Sequence, residues 1–252
     1  MKRNKQKAYM YGKHSLEEAL ESAPHAIKKV FLSLDANEKA LRDKLAKYAI
    51  PVNMLKSGRE ADRMVGADTA HQGVIAVIDT DTLMVDFKDF TKALSPSADT
   101  CLVLLDELTD PHNVGAIIRS AAAFGASGVL IPVHNQAPIT GAVVKSSAGM
   151  VFRIPLISIG NVNYAIDKLK DLGFWTYALA MDGQKITQEE DFSKPSLFVI
   201  GNEGRGIRQK TLERCDTTLR IPMHPRCESL NASVSTAIVL YQWSVQHKNS
   251  LR

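Results

Sequence analysis

From Thr100 onward the chain alternates between apolar runs and segments rich in small residues. The runs are CLVLL (101–105), GVLI (128–131), PLISI (155–159), FWTYALA (174–180) and LFVI (197–200). Strands without an interspersed polar position are buried on both faces, so the alternation predicts a parallel sheet covered on each side by helices. Residues 1–78 carry a weaker version of the pattern. KKVFLSL, VNML and GVIAVI predict strands, and NEKALRDKLAKY repeats apolar residues at Ala40, Leu41, Leu45 and Tyr48 with helical spacing. SLEE, with Ser15 three residues before Glu18, has the form of a capping box starting a short helix with Leu16, Ala19 and Leu20 inward. Residues 79–98, DTDTLMVDFKDFTKALSPSA, break both patterns and predict a linker. The expected organisation is a small α/β unit over 1–78, a linker over 79–98 and a larger parallel-sheet unit over 99–252.

Two helical stretches have unusual faces. In DPHNVGAIIRSAAAFG, Asn113 is a plausible N-cap, and Val114, Ile117, Ile118, Ala121 and Gly125 form a core-facing stripe. Gly115, Ala116, Ser120 and Ala123 make the opposite face, with Arg119 as its only charge. Small residues predict close approach of another element or of a second subunit. In CESLNASVSTAIVLYQW (227–243), Ser229 could cap a helix whose turns carry almost no charge before Gln242. Val234, Ala237, Ile238 and Tyr241 form one stripe, while Ser233, Thr236 and Leu240 add small or apolar surface. Such a helix is buried on several sides; a monomer core and a subunit contact both satisfy that.

Composition narrows the classes. The 252 residues are 45% hydrophobic and 23% charged, an ordinary globular balance. No apolar run is long enough to span a bilayer, and the basic start, MKRNKQKAYMYGKHS, is not followed by the apolar core of a signal peptide. A soluble, cytoplasmic protein with no membrane association is expected. Cys101, Cys215 and Cys227 are odd in number and form no CxxC pair, so neither a disulfide framework nor a zinc site is suggested, and no metal is expected. Residues 1–78 hold 14 Lys/Arg against 9 Asp/Glu, so the basic excess lies there. That asymmetry suggests a polyanion partner, though a solvated basic surface would look the same.

Ligands of parallel sheets collect at the carboxyl ends of strands. Arg119 lies in the unit that follows one such end, and its planar fork suits phosphate or carboxylate. After LFVI comes the glycine-rich turn GNEGRGI, with Gly201, Gly204 and Gly206. Its spacing fails both GxGxxG and the P-loop, which disfavours a dinucleotide or NTP enzyme, and Glu203 would repel a phosphate. The third candidate loop is IPMHPRCESLNAS.

Together, DPHNVGAIIRSAAAFGASGV, FVIGNEGRGI and IPMHPRCESLNASVSTAI resemble the three ordered motifs of the SpoU (TrmH) family of RNA ribose 2'-O-methyltransferases, in the SPOUT superfamily. The resemblance covers residues 100–245. YGKHSLEEAL and HQGVIAVI resemble the small ribosomal-protein-like RNA-binding domain of the bacterial branch that methylates a guanosine of 23S ribosomal RNA. The family implies a deep trefoil knot, S-adenosyl-L-methionine as methyl donor, and a homodimer with the active site near the subunit interface. Carried over by position, the catalytic arginine falls on Arg119, with Asn113 in the same motif, Glu203 in the second, and Ser229 and Asn231 in the third. Cofactor contacts fall on Gly201, Ile221 and Leu230. Two positions depart from the pattern: Pro225 and Glu107 stand where glycine is common. The expected activity is methylation of a 23S guanosine. A transfer RNA guanosine-2'-O-methyltransferase and a non-catalytic RNA-binding or ribosome-assembly factor are the alternatives.

Overall fold

A computed structural model describes residues 7–36, 39–67 and 69–251, without the side chain of Lys7. The basic arm of residues 1–6 and the start of the helix expected from Asn37 lie outside the described residues. The N-terminal unit runs β1 (Lys7–Tyr11), α1 (Lys13–Ser22), β2 (Ile27–Leu32), α2 (Lys39–Lys47), β3 (Val52–Met54), α3 (Gly58–Val65) and β4 (Val74–Asp79). Its four strands form a mixed sheet in the order β1-β4-β2-β3. Leu16, Ala19 and Leu20 of α1 and Leu41 and Leu45 of α2 are buried, as the periodicity predicts. Ala40 and Tyr48 are exposed instead. The capping box does not form: α1 begins two residues before Ser15, behind Gly12, which has φ 91° and no side-chain cap.

The larger unit continues with β5 (Met84–Asp86), α4 (Phe87–Ala93), β6 (Cys101–Asp106), α5 (Pro111–Ala123), β7 (Gly128–Pro132), α6 (Gly141–Ser146), β8 (Leu156–Ile159) and α7 (Val162–Asp171). Then come β9 (Trp175–Leu179), β10 (Lys185–Ile186), β11 (Ser196–Gly201), α8 (Gln209–Leu212), β12 (Thr217–Arg220) and α9 (Ala232–Gln246). All eight strands are parallel, in the order β10-β12-β9-β11-β6-β7-β8-β5. β6 and β7 are wholly buried, and β11 is buried up to its last residue. The segment read as a linker is partly structural: β5 pairs with β8, and Phe87 at the start of α4 is buried in the apolar cluster that holds Ile159 and Val162.

The two units share one continuous apolar core. Arg153 pairs with Glu18 at 2.5 Å and Glu21 at 3.3 Å, and Lys145 lies 5.2 Å over the Tyr11 ring. Gly141 packs against the Tyr9 carbonyl so closely that a Cβ there would strike it. At the other end, His247 is buried and stacked on Trp243, 2.9 Å from both Asp99 Oδ1 and the Phe192 carbonyl. Burial pushes the Cys101 thiol up, and Cys215 is pushed up to about 12 by burial first and then by Asp216. Among the described residues no helix is long and apolar enough to cross a membrane, and no three His, Cys, Asp or Glu side chains gather as a metal-binding group.

Candidate active site

β6 and β11 are neighbours whose last residues, Asp106 and Gly201, are register partners. From β6 the sheet grows one way through β7 and β8, and the later strands β9, β11 and β12 lie on the other side. The crevice at the carboxyl ends of β6 and β11 is therefore where the strand order reverses, the place where open parallel sheets bind ligands.

Three loops meet there. Glu203, in the turn after β11, accepts hydrogen bonds from Asn113 Nδ2 (3.0 Å), the Asp110 amide (3.3 Å) and the Thr109 amide (3.4 Å). Asn231 donates through Nδ2 to Asn113 Oδ1 at 2.9 Å. Asn113 thus uses its donor on Glu203 and its acceptor on Asn231, and its orientation is specified by both. Burial opposes the charge on Glu203, but the hydrogen bonds from Asn113 and from the amides of Glu203, Thr109 and Asp110 outweigh it and hold the carboxyl below its ordinary range.

The caps are displaced from the expected positions. Asp110, not Asn113, caps α5 by accepting from the His112 amide, with Pro111 at the first helical position. Asn113 is left free to point sideways from the first turn. Asn231, not Ser229, caps α9, its Oδ1 accepting from the amides of Ser233 (2.8 Å) and Val234 (3.4 Å). Ser229 is exposed, while Gly201, Ile221 and Leu230 are half-buried. Gly201 must be glycine, because a Cβ would lie 2.7 Å from the Gly206 carbonyl and closer still to the Ile207 amide. That crowding comes from the loop closing on itself through the Asn202–Gly206 bridge.

Ser229 makes no hydrogen bond to this network, and neither does Arg119. Arg119 is exposed and forms no hydrogen bond or ion pair among the described residues. It lies roughly 9 Å further along α5 than Asn113 and on a different face of the helix. The small face around it is divided. Gly115 is covered by α6, where a Cβ would collide with Ser146 Oγ and lie 2.7 Å from the Val143 carbonyl. Ser120 instead borders a groove of about 470 Å³ lined by Ser233, Val234, Ala237, Ile238 and Tyr241 of α9. The stripe read as a packed face of α9 is open in the single chain: Val234 is 46% exposed, Ile238 36% and Tyr241 57%. Thr236, Val239, Leu240 and Trp243 face the core instead.

Arg208 is a residue the sequence reading missed. Its Nε and Nη2 reach Asp106 Oδ1 at 2.9 and 2.6 Å, its amide reaches Asp106 Oδ2 at 3.2 Å, and Nη1 meets Glu107 Oε1 at 2.9 Å. Asp106 is fully buried, and a buried carboxylate demands a cation. Asn202 Nδ2 also donates to the Glu107 carbonyl at 2.7 Å. These bonds lace the loop after β11 to the loop after β6 and so set the position of Glu203. The available signal was the aspartate closing an otherwise apolar run.

The same three segments decide the family. Residues 100–241 match the profile of the SpoU rRNA Methylase family. The chain belongs to that family. Within the SpoU methylases, residues 9–84 match the substrate-binding domain described as RNA 2'-O ribose methyltransferase substrate binding. The chain is 33% identical over 246 residues to an uncharacterized tRNA/rRNA methyltransferase of Mycoplasma genitalium, covering 96% of this chain and 99% of that one. It is 33% identical over 237 residues to the 23S rRNA (guanosine-2'-O-)-methyltransferase RlmB of Pseudomonas aeruginosa, covering 92% and 94%. The crystal structure of AdoMet-bound rRNA methyltransferase from Sinorhizobium meliloti shares the fold, with a TM-score of 0.80 at 24% identity over 94% of this chain and 86% of that one.

Proposed function

We propose that this SpoU methylase transfers a methyl group from S-adenosylmethionine to a ribose 2'-hydroxyl of RNA, with a guanosine of 23S ribosomal RNA as its target. The observation that carries the reading is the Asn113–Glu203–Asn231 network, in which one residue of each motif closes the crevice at the ends of β6 and β11. The RlmB relative supports guanosine and ribosomal RNA, and the N-terminal match supports an RNA-binding role for residues 9–84.

The crevice suits the cofactor. Among the described residues the amides of Ser229 and Leu230 have no hydrogen-bond partner, and Gly201, Ile221 and Leu230 are half-buried. Backbone donors and acceptors of this kind hold an adenosine and an amino-acid tail without charged side chains. Bound there, S-adenosylmethionine would supply a sulfonium-bound methyl group as the electrophile.

The residues of the chain divide the remaining work. Glu203, held ionised by its donors, is a weak proton acceptor and acts by fixing the loops. Asn113 and Asn231 do the same from the other two motifs, and Ser229 is exposed beside them toward substrate. A guanidinium offers donors and no acceptor, so Arg119 is not the base. Its fork holds the ribose-phosphate and stabilises charge developing on the attacking oxygen, while the hydroxyl proton passes to water or an RNA phosphate.

This assignment needs two copies. The apolar groove of α9 beside Arg119 is the surface we assign to a homodimer contact, which seats Arg119 of one copy at the network of the other. The hydrogen bond by which Asn231 returns to Asn113 supports a knotted path for this part of the chain. The direct test is transfer of labelled methyl groups to RNA lacking ribose methylation, followed by mapping. Label at one 23S guanosine is the expected result. Label in transfer RNA reassigns the substrate, and absence of label with RNA and cofactor bound points to a binding factor.

A further inference from the structure

Beside the network, on the side of Thr109, a cavity of about 540 Å³ is lined by Glu107, Thr109, Asn135, Gln136, Ala137 and Arg205. Its size is that of a nucleotide-sized ligand site, roughly 300–1,000 Å³. It opens at the carboxyl ends of β6 and β7, and the Thr109 amide and hydroxyl that border it also reach Glu203. A group seated in it is therefore next to the proposed site of methyl transfer.

Its walls are built at a conformational cost. Glu107 has φ 63° and Asn135 φ 54°, both left-handed, and the two side chains meet at 3.1 Å through Asn135 Nδ2 and Glu107 Oε1. Asparagine tolerates that region, but glutamate does not do so readily. Strain of this kind is retained where it places a functional side chain. The structure also shows what the glutamate offers. Oε1 is taken by Arg208 and Asn135, whereas Oε2 has only a long 3.5 Å contact with Arg205, which is 77% exposed and free to swing aside. Gln136 Oε1 accepts from the Leu108 amide at 2.9 Å, and its buried Nε2 has no partner among the described residues.

We propose that this cavity reads the base of the target nucleotide and that Glu107 selects guanine. The proposal rests on the RNA 2'-O-methylation reading above. Guanine alone among the four bases presents two adjacent donors, N1–H and N2–H, on its pairing edge, and both can converge on the lone pairs of Glu107 Oε2, the oxygen not held by Arg208 and Asn135. Arg205, on the same cavity, is the side-chain type that pairs with guanine O6 and N7. Adenine and cytosine place an acceptor where guanine has N1–H, which would meet the carboxylate with repulsion.

The test uses the full-length protein and the mapped RNA target made with guanosine or with inosine, which lacks only the N2 amino group. Wild-type protein should prefer guanosine by roughly tenfold or more in kcat/KM. Glu107→Gln keeps the Oε1 acceptor for Arg208 and Asn135 and so leaves the loops tied, while it turns the open Oε2 position into a donor; it should lose that preference while its affinity for S-adenosylmethionine stays unchanged. Equal rates on the two RNAs for wild-type protein overturn the proposal, as does a preference that survives in Glu107→Gln. Weakened cofactor affinity with unaltered base preference also overturns it, because the cavity would then serve the cofactor. Wild-type protein that methylates no RNA at all defeats the reading of the function itself, so the two failures are told apart.

Discussion

Asn231 donates to Asn113 at 2.9 Å across 118 residues of chain, while its own Oδ1 caps α9. The two tasks use different ends of one amide and can be separated. Asn231→Asp keeps the capping oxygen but cannot donate to Asn113, so its stability should change by less than about 1 kcal/mol. Its methyl-transfer rate should fall by tenfold or more, on the order of one lost part-buried hydrogen bond at the network. Asn231→Ala should lose the rate and also about 1 kcal/mol of stability. Urea melts and a single-turnover assay on both variants decide the point; full activity in Asn231→Asp would show that the link between the first and third motifs is dispensable.

Two carboxyls make stability depend on acid. Glu203 is held low by its donors against burial, and Asp216 likewise by Lys170 and Thr176. A depressed folded-state pKa contributes stability that is present above the unfolded value, near 4.5 for Glu203 and 3.8 for Asp216, and lost as pH falls through the folded value. Denaturation midpoints should therefore decline below about pH 4.5. Glu203→Gln should flatten the upper part of that decline and leave the profile above pH 6 parallel to wild type. A variant profile superimposable on wild type below that pH would remove Glu203 from the account.

The apolar runs were legible because burial on both faces of β6, β7 and β11 leaves no polar position to obscure them. β5 was not, since three residues become a strand only by pairing with β8 some 70 residues away. The cap at Asn113 was misplaced because Asp110 competes for the same amides, and Pro111 was the cue favouring it. α9 was legible as a helix almost without charge and was expected to be buried on several sides, but in the single chain one of its apolar stripes is exposed; which stripe faced the core depended on α5 and could not be read from spacing. The motifs named Asn113, Glu203 and Asn231, but nothing in their spacing shows that three loops converge, because convergence is set by strand order. Arg208 carries no motif signal and became visible only with Asp106 buried beneath it.

Gly115 offers a packing test away from the chemistry. A Cβ there would strike Ser146 Oγ and lie 2.7 Å from the Val143 backbone, which cannot move without shifting α6. Gly115→Ala gains helix propensity of about 1 kcal/mol, yet overpacking costs typically 1–3 kcal/mol, so net destabilisation is expected. Since α6 also contacts the N-terminal unit through Gly141 and Lys145, protease sensitivity between the two units should rise. Calorimetry showing a raised Tm would mean that α6 yields more easily than its contacts indicate.

The separation of Arg119 from the network within one chain leads to the most decisive prediction. If each site takes Arg119 from one copy and Asn113, Glu203 and Asn231 from the other, Arg119→Ala and Asn231→Asp homodimers each lose activity. A mixed dimer of the two variants concentrates both lesions in one site and leaves the second wholly wild-type. Co-expression with two affinity tags should yield mixed dimers with about half the wild-type rate, far above either parent; a statistical mixture, one-half mixed dimer, gives about a quarter. Activity no higher than the parents would mean that Arg119 serves its own chain, reached by a rearrangement of α5. Tyr241→Glu, placed in the apolar groove between α5 and α9, supplies the control: it should yield monomers by sedimentation and abolish the complementation.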